Sequence, residues 1–246
     1  MEYLALFFSL VVGLVLGSFY NVCVHRFMSE ESIVFPGSHC PNCKHSLSWW
    51  ENIPLFSYIL LKGKCYNCKE HISIRYPFVE GISGLVSLLL AFKFGLGFIW
   101  AAYMILFGIM IVSSFIDWET FILPNSLMFS GIVLSLAAAW IVLPVYFLDS
   151  FLGLVIGGGL FFLVQRIYRV IRKREGLGSG DIKLLAFIGA IVGWYNIPLV
   201  LFVSSLTPLI LTVFIKNIDK SKSFLDIKMP YGPFLSLGAF FSIMIA

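Results

Sequence analysis

Charge is scarce in this chain: Asp, Glu, Lys and Arg make up 12% of its 246 residues. A soluble domain carries about 25%. So little charge cannot clothe a water-facing surface, and lipid is the expected solvent for most of the chain. Aspartate is rarer still, occurring only at 117, 149, 181, 219 and 226. No basic stretch precedes the first apolar run, which starts almost at Met1 and is followed by a basic segment. A cleavable signal peptide is therefore not expected, and the run reads as a retained transmembrane helix. No HExxH, Ser-His or Cys-His arrangement competes for a catalytic role, and no Gly-rich nucleotide loop of the soluble type is present. The sequence also reads as lacking internal repeats and low-complexity linkers.

What is present is apolar: 59% of the residues are hydrophobic and the mean hydropathy is +0.95. Turn and charge breaks divide the apolar runs into eight segments, near 3–24, 77–92, 98–116, 125–143, 150–168, 182–194, 197–215 and 231–246. The expected fold is all-α, a polytopic membrane bundle with about eight transmembrane segments and a small cytoplasmic zinc-knuckle insert. The sixth segment is short for a span and contains Gly189 and Gly193, so it is expected to tilt or to pack inside the bundle. With eight crossings and an outside N-terminus, every one of the 17 basic residues except Lys93 falls in or beside an inside loop. Lys and Arg collect on the cytoplasmic side of membranes. The net charge of +4 thus reflects topology, including the Arg172–Arg174 cluster, and nucleic acid is not an expected partner. Three parts follow: a first helix (1–24), a polar cytoplasmic insert (25–76) and a helical bundle (77–246).

Four of the five cysteines lie in that insert, as Cys40-Pro-Asn-Cys43 and Cys65-Tyr-Asn-Cys68. Paired CxxC knuckles place four thiolates for tetrahedral zinc, although the spacing between them is slightly longer than usual. An insert this small buries little core, so a metal staple is physically sensible. A disulfide pair and a thiol-redox site are the competing readings, the first disfavoured in a reducing cytosol. Four thiols fill a closed site, so His39, His45 and His71 are left out of it. His25 has no obvious partner, and Cys23 reads as a core residue of the first helix.

Acids at membrane depth call for a functional hypothesis. Asp149 falls in an outside turn, and Asp219 and Asp226 in a solvated basic loop. Asp117 closes the apolar run Ile105–Ile116, and Asp181 follows Gly178-Ser179-Gly180 and opens another. The charge-derived topology puts both at cytoplasmic helix mouths on the same side. Two carboxylates sharing a site resist ionising together, so one can take a proton from water while the other polarises a carbonyl. Each alone would also suit a helix N-cap, and on the residues alone both readings stand. Gly178 and Gly180 could open the chain beside Asp181 to a substrate strand, or simply end a loop. Glu80 and Glu119 are candidate substrate-facing acids or snorkelled interfacial ones.

Ordered motifs spread over nearly the whole chain resemble the type IV prepilin peptidases. They are Gly17-Ser18-Phe19-Tyr20-Asn21-Val22 with Arg26; the stretch Cys40 to Glu80 with Asn52-Ile53-Pro54-Leu55, Gly63-Lys64-Cys65 and Arg75-Tyr76-Pro77; Asp117-Trp118-Glu119 with Leu123-Pro124; Gly178-Ser179-Gly180-Asp181-Ile182-Lys183; and Pro230-Tyr231-Gly232-Pro233-Phe234. Ser179 stands where that family often has Met. The resemblance implies a membrane aspartic endopeptidase of the bacterial inner membrane, with Asp117 and Asp181 as its dyad. Such an enzyme cuts the basic leader from prepilins or pseudopilins after a glycine, at the cytoplasmic face. It also implies N-methylation of the new terminus with S-adenosylmethionine, because members with the four-cysteine insert are the bifunctional ones.

Overall fold

The computed structural model describes residues 2–35, 37–172, 178–218 and 229–246. Lys173, Arg174, Lys220, Lys222 and Lys228 of the charge argument, with Asp219 and Asp226, lie outside them. The described residues are helical, with no strand beyond two isolated bridges in the insert. The chain divides into two compact units, Met1–Val112 and Ser113–Ala246.

The first unit contains α1 (Glu2–Met28), the short α2 (Phe56–Leu60), α3 (Arg75–Phe94) and most of α4 (Phe98–Thr120). Small residues bring α1 and α3 into backbone contact, as in membrane helix pairs generally. A Cβ on Gly13 would stand 2.5 Å from Ser87 Cβ, and one on Gly17 would stand 2.7 Å from Glu80 Cα. The Ser87 hydroxyl donates to the Ser9 carbonyl at 2.6 Å, so the seam is also tied by a buried hydrogen bond. Large side chains on the rest of α1, among them Phe7, Phe8 and Val15, remain exposed as a lipid-facing helix requires.

The second unit takes the end of α4, then α5 (Asn125–Ile141), α6 (Phe147–Arg172), α7 (Ser179–Val192), α8 (Ile197–Ile218) and α9 (Gly232–Ile245). Here α7 is the central element, packed on α5, α6 and α9 and buried from Leu184 to Val192. That is the packed alternative expected for the short sixth segment. Gly153 of α6 meets Gly189 of α7 so closely that a Cβ on either would lie 2.1 Å from the other's carbonyl oxygen. Gly153→Ala is accordingly expected to destabilise the protein by about 1–3 kcal/mol through overpacking, read as a lowered melting temperature in detergent. Asp149, the expected outside acid, accepts the Trp194 indole N–H at 3.1 Å and so has a structural role.

Each of the eight expected segments corresponds to a helix. Among the described residues, five helices are long and apolar enough to cross a membrane by length and composition: α1, α3, α4, α6 and α8. The others are shorter, with 17 residues in α5 and 14 each in α7 and α9. A span needs about 20.

Candidate active site and metal centre

Asp117 occupies the last turn of α4 and is 5% exposed. The helix stops just beyond it: Phe121 takes φ +56°, and its amide returns to the Asp117 carbonyl at 2.8 Å. Pro124 then caps α5. Asp181 is the third residue of α7, whose N-cap is Gly178 in an extended conformation. From that position its carboxylate reaches back to the Gly178 amide, as an acid three residues into a helix commonly does. Asp117 lies near enough for its charge to act on this carboxylate. Two acids remote in sequence therefore share one neighbourhood.

The two aspartate segments are also joined. Gly180 packs on Leu123, where an added Cβ would fall 2.8 Å from the leucine Cβ. The Lys183 ammonium donates to Asn125 Oδ1 and lies 5.7 Å from the centre of the Phe129 ring. A third segment arrives from the C-terminal end: the Gly232 amide donates to Asp117 Oδ2 at 2.9 Å. Lys183 and Gly232 lie within the quoted motifs, but the sequence assigned neither a role, and Asn125 lies outside them. Two prolines bracketing a glycine, Pro230 to Pro233, were the available signal.

The remaining candidates are distributed differently. Glu119 is exposed, and two residues along a helix from Asp117 it does not share that residue's face. Gly178 and Ser179 are exposed at the mouth of α7. Glu80 belongs to the first unit, where it is 7% exposed. Its Oε2 accepts the Leu55 amide at 2.8 Å, and the Ser18 hydroxyl donates to the same carboxylate. Leu55 holds φ +60°, so this bond pins a strained turn of the insert to α3. Glu80→Ala would leave the Leu55 amide without its acceptor, an expected loss of about 1–3 kcal/mol. Faster proteolytic nicking near 53–61 in the otherwise folded protein would show it.

The four insert thiols converge. Cys40 and Cys68 Sγ are 3.8 Å apart, Cys43 and Cys65 Sγ are 4.0 Å apart, and all four lie within 4.8 Å of one another. Tetrahedral zinc with bonds of about 2.3 Å demands S···S edges of about 3.8 Å, so the donor set fits that ion. No pair is joined as a disulfide. The His45 amide bonds to the Cys43 thiol and, with lesser help from neighbouring side chains, draws it down to about 6, favouring the thiolate that metals bind. The bond from the Glu70 amide acts to lower Cys68, but partial desolvation together with the three neighbouring thiols pushes it up to about 11. His39 and His71 sit on the two isolated bridges, and His45 Nε2 lies 3.3 Å from Glu51.

The insert corrects the expectation of no internal repeat. Cys40 N–H bonds to the His45 carbonyl and Lys44 N–H to the Cys40 carbonyl; Cys65 N–H bonds to the Glu70 carbonyl and Lys69 N–H to the Cys65 carbonyl. Lys44 and Lys69 both hold positive φ, at +58° and +61°. Leu47→Ser38 and Ile72→Gly63 close the two turns identically. These are two copies of one knuckle. Only Cys, Asn, Cys, Lys and a later Ser coincide, because the hydrogen-bonded loop constrains its backbone and ligands while its other side chains face solvent.

Fold and site thus describe a helical protein whose described residues include five helices long and apolar enough to cross a membrane, with two neighbouring aspartates in one unit and four convergent thiols in the other. Comparison with known proteins gives the family. The bacterial peptidase A24 N-terminal domain matches residues 11–94, and the type IV leader peptidase family matches residues 104–213. The chain is 33% identical to a prepilin leader peptidase/N-methyltransferase of Stutzerimonas stutzeri, over 96% of its own length and 89% of the relative's. It is 34% identical to the Pseudomonas aeruginosa protein of that name, over 96% and 89%, and 32% identical to that of Neisseria gonorrhoeae, over 92% and 86%. No solved structure matches it. The chain belongs to the type IV leader peptidase family.

Proposed function

We infer that this protein is a bacterial inner-membrane leader peptidase that cuts type IV prepilins or pseudopilins after a glycine at the cytoplasmic face, and that it methylates the new N-terminus. The observation carrying the reading is the approach of Asp181, partly exposed at the start of α7, to the buried Asp117 at the end of α4. With one carboxylate ionised and the other protonated, the ionised member takes a proton from water. The resulting hydroxide oxygen bonds to the carbonyl carbon of the leader's last glycine. The protonated member donates a hydrogen bond to the carbonyl oxygen as charge develops there. Collapse of the tetrahedral adduct breaks the C–N bond, and the departing nitrogen takes the proton first removed from water. Gly178, exposed at the mouth of α7, leaves room for an extended substrate beside Asp181, and Gly180 lets that turn pack on Leu123. Glu119, exposed on the outer face of α4, is placed to attract the basic leader.

The insert 25–76 holds a structural zinc ion on Cys40, Cys43, Cys65 and Cys68, anchored to the helices 1–24 and 77–246 through bonds such as that from the Leu55 amide to Glu80. S-adenosylmethionine supplies the methyl group when bound; the residues assigned here belong to cleavage and to the metal. The test is mass analysis of a prepilin incubated with the purified protein and S-adenosylmethionine. Loss of the leader after glycine with a gain of one methyl group is the expected product. An intact prepilin would sink the reading, and a cleaved but unmethylated product would reduce it to a peptidase.

A further inference from the structure

The first turn of α9 has an unusual distribution of hydrogen-bond donors. The first four amides of a helix have no partner within it. In α9, whose N-cap is Tyr231, these belong to residues 231–234, and Pro233 has none to give. The Phe234 amide turns back to the Tyr231 carbonyl at 3.2 Å, beside the first regular helical bond, from the Leu235 amide to the same oxygen at 3.1 Å. The Gly232 amide turns to an acceptor outside the helix, and that acceptor is Asp117 Oδ2. Gly232 is buried, and a Cβ there would stand 2.6 Å from the same carboxylate oxygen. Only glycine allows this approach without moving the acid.

The turn is itself held in place. The Tyr231 hydroxyl pairs with the Ser204 hydroxyl at 2.9 Å and with that of Ser205 at 3.4 Å, both on α8. Its ring lies 6.3 Å from that of Phe161 on α6. One turn away, Ser114 of α4 pairs with Ser236 of α9 at 2.9 Å. The two helices run antiparallel there, with Asp117 facing Gly232 and Ser114 facing Ser236.

We propose that Tyr231 and Gly232 are positioning residues for Asp117: the Gly232 amide fixes one carboxylate oxygen, Tyr231 fixes the amide, and the other oxygen is left aimed for the reaction. The segment lies beyond the residues that the peptidase family model matches, which end at 213. This proposal rests on the reading of Asp117 and Asp181 as the catalytic pair.

The test compares Gly232→Ala, Tyr231→Phe, Asp117→Asn and Asp181→Asn in the full-length protein, with prepilin cleavage resolved into kcat and KM and with melting temperature measured alongside. Tyr231→Phe keeps the ring and removes the tether, so kcat should fall about tenfold, the worth of roughly one hydrogen bond. KM and melting temperature should stay near those of the parent. Gly232→Ala should lower kcat by about a hundredfold or more, since a displaced acid is costly even at sub-ångström scale. A Tyr231→Phe enzyme with unchanged kcat, or one whose loss is wholly in KM, overturns the proposal while dead aspartate variants leave the dyad standing. Cleavage by either aspartate variant overturns the dyad and this proposal together.

Discussion

Asp117→Asn and Asp181→Asn are each expected to reduce prepilin cleavage by on the order of 10⁴-fold or more, the scale reached when a group acting as one unit with its partner is removed. The substitution keeps shape and hydrogen-bonding capacity. An asparagine at 117 can still accept the Gly232 amide, and one at 181 can still accept the Gly178 amide. What it removes is the exchangeable proton of the acid and the charge of the base. The fold should therefore survive while chemistry does not. Single-turnover cleavage with a melting curve on the same sample checks both, and a retained rate for either variant would defeat the dyad.

The second large effect concerns the insert. Cys65→Ser, or a strong chelator, should reduce bound zinc from about one ion per chain to nearly none, because a three-thiol remnant no longer closes a tetrahedron. Cys65 is 4% exposed and Cys40 7%, one buried ligand from each knuckle, so loss of the ion would unfold both knuckles. Metal analysis and limited proteolysis across 38–72 measure the two consequences. Thiols that cycle to disulfides in a preparation free of zinc would instead establish a redox site.

The two centres differ in how far the sequence alone could reach. For the metal centre, Cys-x-x-Cys repeated within one short loop states both the ligands and their geometry, because each knuckle is a local turn. The repeat is faint in the sequence because it is carried by backbone bonds at Cys40, Lys44, Cys65 and Lys69, which few shared side chains advertise. For the carboxylate centre, elimination and topology led to Asp117 and Asp181. Their surroundings were out of reach: the amide that holds Asp117 comes from 115 residues downstream, and no periodicity records such a partner. Glu80 shows the same limit. It could be recognised as an acid at the membrane boundary, but not as the acceptor for the Leu55 amide.

By itself the sequence determined the solvent, the class of fold and the identity of the groups able to do chemistry. Scarce charge, long apolar runs and rare acids act through local rules of hydration and helix length. The tertiary structure alone decided that α7 would be buried, that Leu123 and Asn125 would meet the first turn of α7, and that a glycine amide would rest on Asp117. Those contacts depend on which helix faces come together. In a membrane that choice rests on close fit and buried hydrogen bonds, because every face is apolar and hydrophobicity cannot rank them.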